Sequence, residues 1–206
     1  MADENKKINW NKVIKLALIL FIITAIASLA LALTNVVTKD IIARQKQQAN
    51  ETAKKYVLDE ADSFKSLDNV EAIAQQADPE NAQLVTEISE GIKDGKTIGY
   101  VIKTVPSGYG GEIEILTGIR PDGMINGVTI LSLKETAGLG ARATEDGFIM
   151  QYLELNTAMD IKVIKNGETG ENEINAITGA TVTSKAVTKG VNLACDVFQV
   201  LKGGTQ

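Results

Sequence analysis

The chain has 206 residues, 44% apolar and 23% charged, which allows one modest domain plus an attachment. It has no His and a single Cys. That excludes His-dependent nucleophilic triads, His-ligated zinc or haem, internal disulfides and Cys-ligated iron–sulfur clusters. A net charge of −5 argues against nucleic acid as a partner, so any redox chemistry must ride on an imported organic cofactor.

Residues 1–15 read as a short Lys-bearing lead. From Leu16 to Leu33 runs LALILFIITAIASLALAL, interrupted only by Thr24 and Ser28. Extended to Val37, the run predicts a helix of about 33 Å, matching a hydrocarbon core of about 30 Å. Each hydroxyl can bond to a carbonyl one turn earlier. Ala30-Leu31-Ala32 fits a signal-cleavage pattern but lies inside the run, which exceeds a signal core in length. Residues 16–37 therefore read as a retained membrane anchor. Lys6, Lys7, Lys12 and Lys15 precede it, against Lys39, Arg44 and Lys46 behind, a small bias toward an inside N-terminus.

Residues 38–58 lack Pro and Gly and predict a helical stalk. Residues 59–95 are acidic and mixed, and read as short helices and loops. Beyond them the period changes to two. Strands are expected at Thr97–Val105, Glu112–Ile119 and Gly127–Leu133, the last two joined as an antiparallel hairpin by Pro121-Asp122-Gly123. Ile161–Ile164 is a shorter strand ended by Asn166-Gly167. A final helix over Thr183–Leu201 carries a stripe of Val187, Val191, Ala194, Phe198 and Leu201, and Gly203-Gly204 ends it. The fold class is α+β: one N-terminal transmembrane helix, then a soluble domain over 59–206 on a largely antiparallel sheet.

Two segments point to chemistry. Lys134 to Gly140 (KETAGLG) is a Gly-containing loop directly after a strand. Gly138-Leu139-Gly140-Ala141-Arg142-Ala143 satisfies G-x-G-x-x-A, but its strand belongs to a hairpin rather than a βαβ unit, so the dinucleotide fingerprint fails. The bland alternative is a loop needing positive φ; the functional one is a backbone lying against a flat ligand, with Glu135 as an acceptor. The second segment, Thr178 to Ser184 (TGATVTS), precedes the last helix. Thr181 or Thr183 as a plain N-cap is the bland alternative. Yet four hydroxyls around a Gly-Ala pair, at a helix N-terminus, also suit a phosphate.

Thr178 to Ser184 resembles the S/T-G-A-T-x-T motif on which a flavin transferase attaches FMN through a phosphoester bond to its last threonine, Thr183 here. Glu135 to Gly140 resembles an E-T-P-G-L-G loop that lies against the flavin, with Ala137 in place of Pro. Gly108-Tyr109-Gly110-Gly111 is similar to a G-Y-G-G element, and Asn175 stands where an acidic residue often precedes the attachment motif. These motifs resemble the G subunits of Rnf complexes, ferredoxin–NAD oxidoreductases that pump sodium ions or protons. The C subunits of sodium-pumping NADH–quinone reductases are related but usually longer.

The resemblance implies an electron-transfer subunit of bacterial or archaeal cell membranes, with a covalent FMN on an extracytoplasmic domain. Thr183 would be the acceptor. Thr178, Gly179, Ala180, Thr181, Val182 and Ser184 would surround the phosphate, and Glu135, Thr136, Gly138, Leu139 and Gly140 would face the flavin. Lys185 is a possible phosphate partner or a plain surface lysine. Tyr109, Phe148 and Tyr152 are stacking residues or core, and Cys195 is a packing residue. Implied partners are the membrane-embedded A, D and E subunits of Rnf, its cytoplasmic B and C subunits, the lipid bilayer, and the flavin transferase. Two rivals stand beside this: an anchored FMN carrier serving another extracytoplasmic reductase, and a non-redox assembly protein whose hydroxyl run only caps a helix.

Overall fold

A computed structural model describes residues 10–165 and 167–204. Lys6 and Lys7 of the lead, and Asn166 of the Asn-Gly turn, lie outside the described residues. The chain divides between Gln48 and Ala49 into two units.

The first described element is α1 (Trp10–Val57). Every residue from Trp10 to Val37 is exposed. Among the described residues this is the one helix long and apolar enough to cross a membrane, and its apolar window is wholly unburied. Thr24 donates its hydroxyl to the Leu20 carbonyl at 3.0 Å, and Thr34 to that of Ala30 at 2.9 Å. Both threonine hydroxyls are thus paired within the apolar stretch.

The second unit is built on an antiparallel meander of β1 (Ser63–Ser66), β2 (Val85–Lys93), β3 (Lys96–Thr104), β4 (Ile113–Ile119) and β5 (Ile125–Leu133), in that order. Alternation sorts its side chains. Ile88, Ile102, Ile115 and Ile119 face one side, and Val101 and Leu116 the other. The first side is covered by α2 (Val70–Ala77) and by α4 (Thr181–Gly203), whose Val187, Val191, Ala194 and Phe198 are fully buried. Between β5 and α4 the chain forms a 3-10 turn (Gly140–Thr144), the short α3 (Asp146–Ile149), and a parallel pair of β6 (Lys162–Ile164) and β7 (Glu173–Asn175).

The other side of the sheet takes the foot of α1. Gly91 pairs with Gly99 and Gly118 with Gly127 across neighbouring strands. A Cβ at Gly91 would run into the Leu58 side chain, and one at Gly118 into the Val57 carbonyl. The four glycines make a trough where the backbone of Val57 and the side chain of Leu58 lie directly on the sheet. Beside it, Lys54 is 3% exposed and bonds to Glu51 at 2.9 Å and to Glu87 on β2. Burial alone would lower the pKa of Lys54, but its bonds to Glu87 and Glu51 win and the net shift is upward. Glu87 is likewise pushed up by burial, but its bonds to Lys54 and Asn50 hold its pKa below the usual value.

Three expectations change. Residues 59–95 hold β1 and β2, not only helices and loops; the alternation of β2 is masked in the sequence because it carries Glu87, which is matched by the buried Lys54 of α1. The last turns of α1 are part of the globular unit rather than free stalk, because Lys54 and Val57 are buried there. Finally, α4 begins at Thr181 rather than Thr183.

Candidate functional site

The loop after β5 is shaped by its own backbone. Leu139 and Ala141 both donate to the Thr136 carbonyl, at 3.1 and 3.2 Å, and Gly138 turns with φ 75°. Only a residue without Cβ adopts that angle without strain. Glu135 reaches across to the Gly108–Gly111 loop, where its Oε1 accepts the Tyr109 N–H at 2.7 Å and the Gly110 N–H at 3.3 Å. That carboxylate oxygen is committed within the protein. Its other oxygen, Oε2, faces Gly140.

The segment before α4 turns at Gly179, φ 80°. The N-cap of α4 is Ala180, which offers no side-chain cap. Ser184 donates through its backbone N–H to the Ala180 carbonyl at 3.0 Å, closing the first helical turn. The N–H groups of Thr181, Val182 and Thr183 precede that turn and have no intrahelical acceptor. Such an end attracts an anion through both its free donors and the helix dipole.

Both segments converge on one cavity of about 510 Å³. One wall is Tyr109; another is Glu135, Thr136, Leu139 and Gly140; the floor is the run from Gly179 to Thr183. Thr183 is only 1% exposed, yet among the described residues no side-chain hydrogen bond engages its hydroxyl, which faces Gly140. A Cβ on Gly140 would lie 2.7 Å from Thr183 Oγ1 and 2.7 Å from Glu135 Oε2, so glycine keeps this floor open. At the rim Tyr109 is 75% exposed, and Leu139 and Val182 are also exposed. Apolar side chains presented to water around a polar floor suit a ligand with a flat apolar body and an anionic tail.

Not every expected residue lines the cavity. Thr178 and Gly138 are exposed outside it. Ser184 is fully buried, accepting the Ile177 N–H at 2.9 Å and donating to the Ala180 carbonyl at 3.0 Å. It shapes the turn instead of presenting a free hydroxyl. Lys185 opens onto a separate groove of about 310 Å³ with Asp78, Lys189 and Asp196. Phe148 and Tyr152 pack edge to face at 5.6 Å inside the core, and the Tyr152 hydroxyl meets Thr188 at 2.8 Å. They are core residues. Cys195 is buried, and burial pushes its thiol up to about 12, so it is a packing residue with no thiolate at neutral pH. The link from Glu135 to the Tyr109 backbone was not legible, because the two residues are far apart in sequence and join through a main-chain donor.

Residues 108–196 match the model of a family described as FMN-binding domain, and residues 1–54 that of the RnfG N-terminal region. The chain is 44% identical over 205 residues to the G subunit of the Na(+)-translocating ferredoxin:NAD(+) oxidoreductase complex of Acetobacterium woodii, covering 97% of this chain and 98% of that protein. It is 34% identical over 179 residues to the G subunit of the proton-translocating ferredoxin:NAD(+) oxidoreductase complex of Clostridium ljungdahlii, covering 87% and 88%. Among solved structures, NqrC of Shewanella oneidensis aligns with a TM-score of 0.49 at 21% identity, over 57% of this chain and 59% of that one.

Proposed function

The chain belongs to the family of G subunits of ion-translocating ferredoxin:NAD(+) oxidoreductase (Rnf) complexes and carries an FMN-binding domain; from that premise we propose that it relays electrons through an FMN joined to Thr183 by a phosphoester bond. The observation that carries the proposal is the Thr183 hydroxyl, buried on a cavity floor, unengaged by any described side chain, and set in the first turn of α4. The residues present fit the group. The free N–H groups of Thr181, Val182 and Thr183 suit its phosphate, and the absent side chain at Gly140 leaves room for it.

The flavin supplies reversible electron uptake at its ring system. The protein's part is placement. Leu139, Val182 and Tyr109 offer apolar surface to the ring, and Glu135 fixes the loop that bears Tyr109. A helix terminus alone contributes about 0.3–1 kcal/mol toward an exposed anion, too little to retain a cofactor at an open cavity. An ester to Thr183 removes that difficulty. The helix-cap alternative has little support, because the cap position is Ala180 and neither Thr181 nor Thr183 caps the helix.

In this account α1 crosses the bilayer once over residues 16–37, with the N-terminus cytoplasmic and the flavin domain outside. The A, D and E subunits would be its membrane neighbours, the B and C subunits would act on the cytoplasmic side, and a flavin transferase would load Thr183. The test is a complex purified with Thr183→Ala. We expect it to assemble, to lack flavin on this chain, and to lose ferredoxin-dependent NAD(+) reduction. A variant complex with wild-type electron transfer would refute the relay. A chain that purifies apart from other subunits and reduces an added acceptor would favour the free-standing carrier instead.

A further inference from the structure

Thr183 is 1% exposed, which raises a chemical difficulty for its modification. Its hydroxyl must lose a proton as it attacks phosphorus. A base supplied by the transferase would have to share a cavity of about 510 Å³ with the incoming flavin. The cavity already holds one carboxylate, that of Glu135. Its Oε1 is tied to the Tyr109 and Gly110 N–H groups, which fixes the side chain. Its Oε2 and Thr183 Oγ1 each lie 2.7 Å from one point, the position a Cβ on Gly140 would take. The two oxygens are therefore no more than twice that distance apart.

We propose that Glu135 is the proton acceptor for Thr183 during flavin attachment, an inference that rests on Thr183 being the acceptor residue. Joining an alcohol to a free phosphate by loss of water is unfavourable in water, so the donor must be a phosphoanhydride, a flavin dinucleotide. The step balances without any redox change. Thr183 Oγ1 bonds to the flavin-side phosphorus, the P–O bond of the anhydride breaks, and the nucleoside monophosphate leaves with the bridging oxygen. The Thr183 proton passes to Glu135 Oε2. Proton uptake also neutralises the carboxylate as the phosphodiester forms beside it, removing a like-charge repulsion at that moment. Gly140 has a second purpose here: any side chain at that position would stand between base and hydroxyl.

The structural role of Glu135 and the proton-accepting role predict opposite rankings of two variants. Glu135→Gln keeps length and a carbonyl oxygen for the Tyr109 and Gly110 N–H groups but is no base. Glu135→Asp keeps the base but is shorter. The assay uses the unloaded full chain in detergent with flavin transferase and flavin adenine dinucleotide, following mass gain against time. We expect Glu135→Gln to load at least tenfold more slowly than wild type, in line with general-base contributions of roughly 10²–10⁴, and Glu135→Asp to load faster than Glu135→Gln. A Gln variant at the wild-type rate, or an Asp variant as slow as or slower than Gln, would overturn the proposal. Flavin gained equally by wild type and Thr183→Ala would instead overturn the assignment of Thr183, and this inference with it.

Discussion

Gly140→Ala tests how tightly the cavity wall fits against the floor at Thr183. The added Cβ would meet Thr183 Oγ1 and Glu135 Oε2 at 2.7 Å each, and Glu135 Cβ at 2.9 Å. Ordinary contact begins near 3.4 Å, so both oxygens must retreat by about 0.7 Å. Neither is free to do so. Glu135 is tethered to the Tyr109 and Gly110 N–H groups, and Thr183 sits buried in the first turn of α4. Overpacking of this kind costs about 1–3 kcal/mol. At about 2–4 °C per kcal/mol for a unit of this size, the midpoint of calorimetric unfolding should fall by roughly 2–12 °C. Displacing a reacting oxygen by a comparable distance should slow flavin loading by about a hundredfold. Gly147→Ala is the control, since a Cβ there meets nothing within 4 Å. A Gly140→Ala chain that matches the control in both midpoint and loading rate would show that no tight contact exists between Gly140, Thr183 and Glu135.

Other outcomes follow from the same structure. Lys54→Met strands the Glu87 carboxylate under the foot of α1 and should destabilise the globular unit by about 3 kcal/mol in denaturant titration. Because Glu87 is held below its ordinary value of 4.5, its contribution is present above that value and lost as pH falls through its folded pKa. The gap between wild type and Lys54→Met should therefore narrow in acid. Asp196 is pushed up to about 6, first by burial and then by Asp160 and Asp78. A raised carboxyl pKa makes stability fall as pH rises from the unfolded value of about 3.8 to about 6. Asp196→Asn should thus gain about 1 kcal/mol at pH 7, after allowance for solvent screening, and nothing at pH 3. Gly118→Ala forces a Cβ into the Val57 carbonyl and should lift the foot of α1 from the sheet, at about 1–3 kcal/mol in thermal unfolding.

The regular periods were legible in the sequence. β3, β4 and β5 lie within two residues of the expected strands, and Val187, Val191, Ala194 and Phe198 are all buried as the stripe requires. What escaped was whatever depended on a distant partner. The alternation of β2 is masked by Glu87 and Glu90 and by register shifts at both ends, and it becomes intelligible only with Lys54 beneath it. The Asp94-Gly95 turn between β2 and β3, with φ 50° and 74°, was a local signal that could have revealed that hairpin. At the site, chain order placed the 135–140 and 178–184 segments as two separate signals, and the fold makes them one cavity. Hydroxyl residues could not be ranked from composition. Ser184 and Thr183 are adjacent and equally buried, but only Ser184 spends its hydroxyl on the turn, a difference set by helix geometry.

The most direct measurement is the intact mass of the chain purified from membranes of cells that hold the transferase, followed by fragmentation of the peptide spanning residues 178–184. We expect a gain of one FMN less one water, placed on Thr183 and absent from Thr183→Ala. An unmodified wild-type chain, or a flavin fragmenting from Thr181 or Ser184, would contradict it.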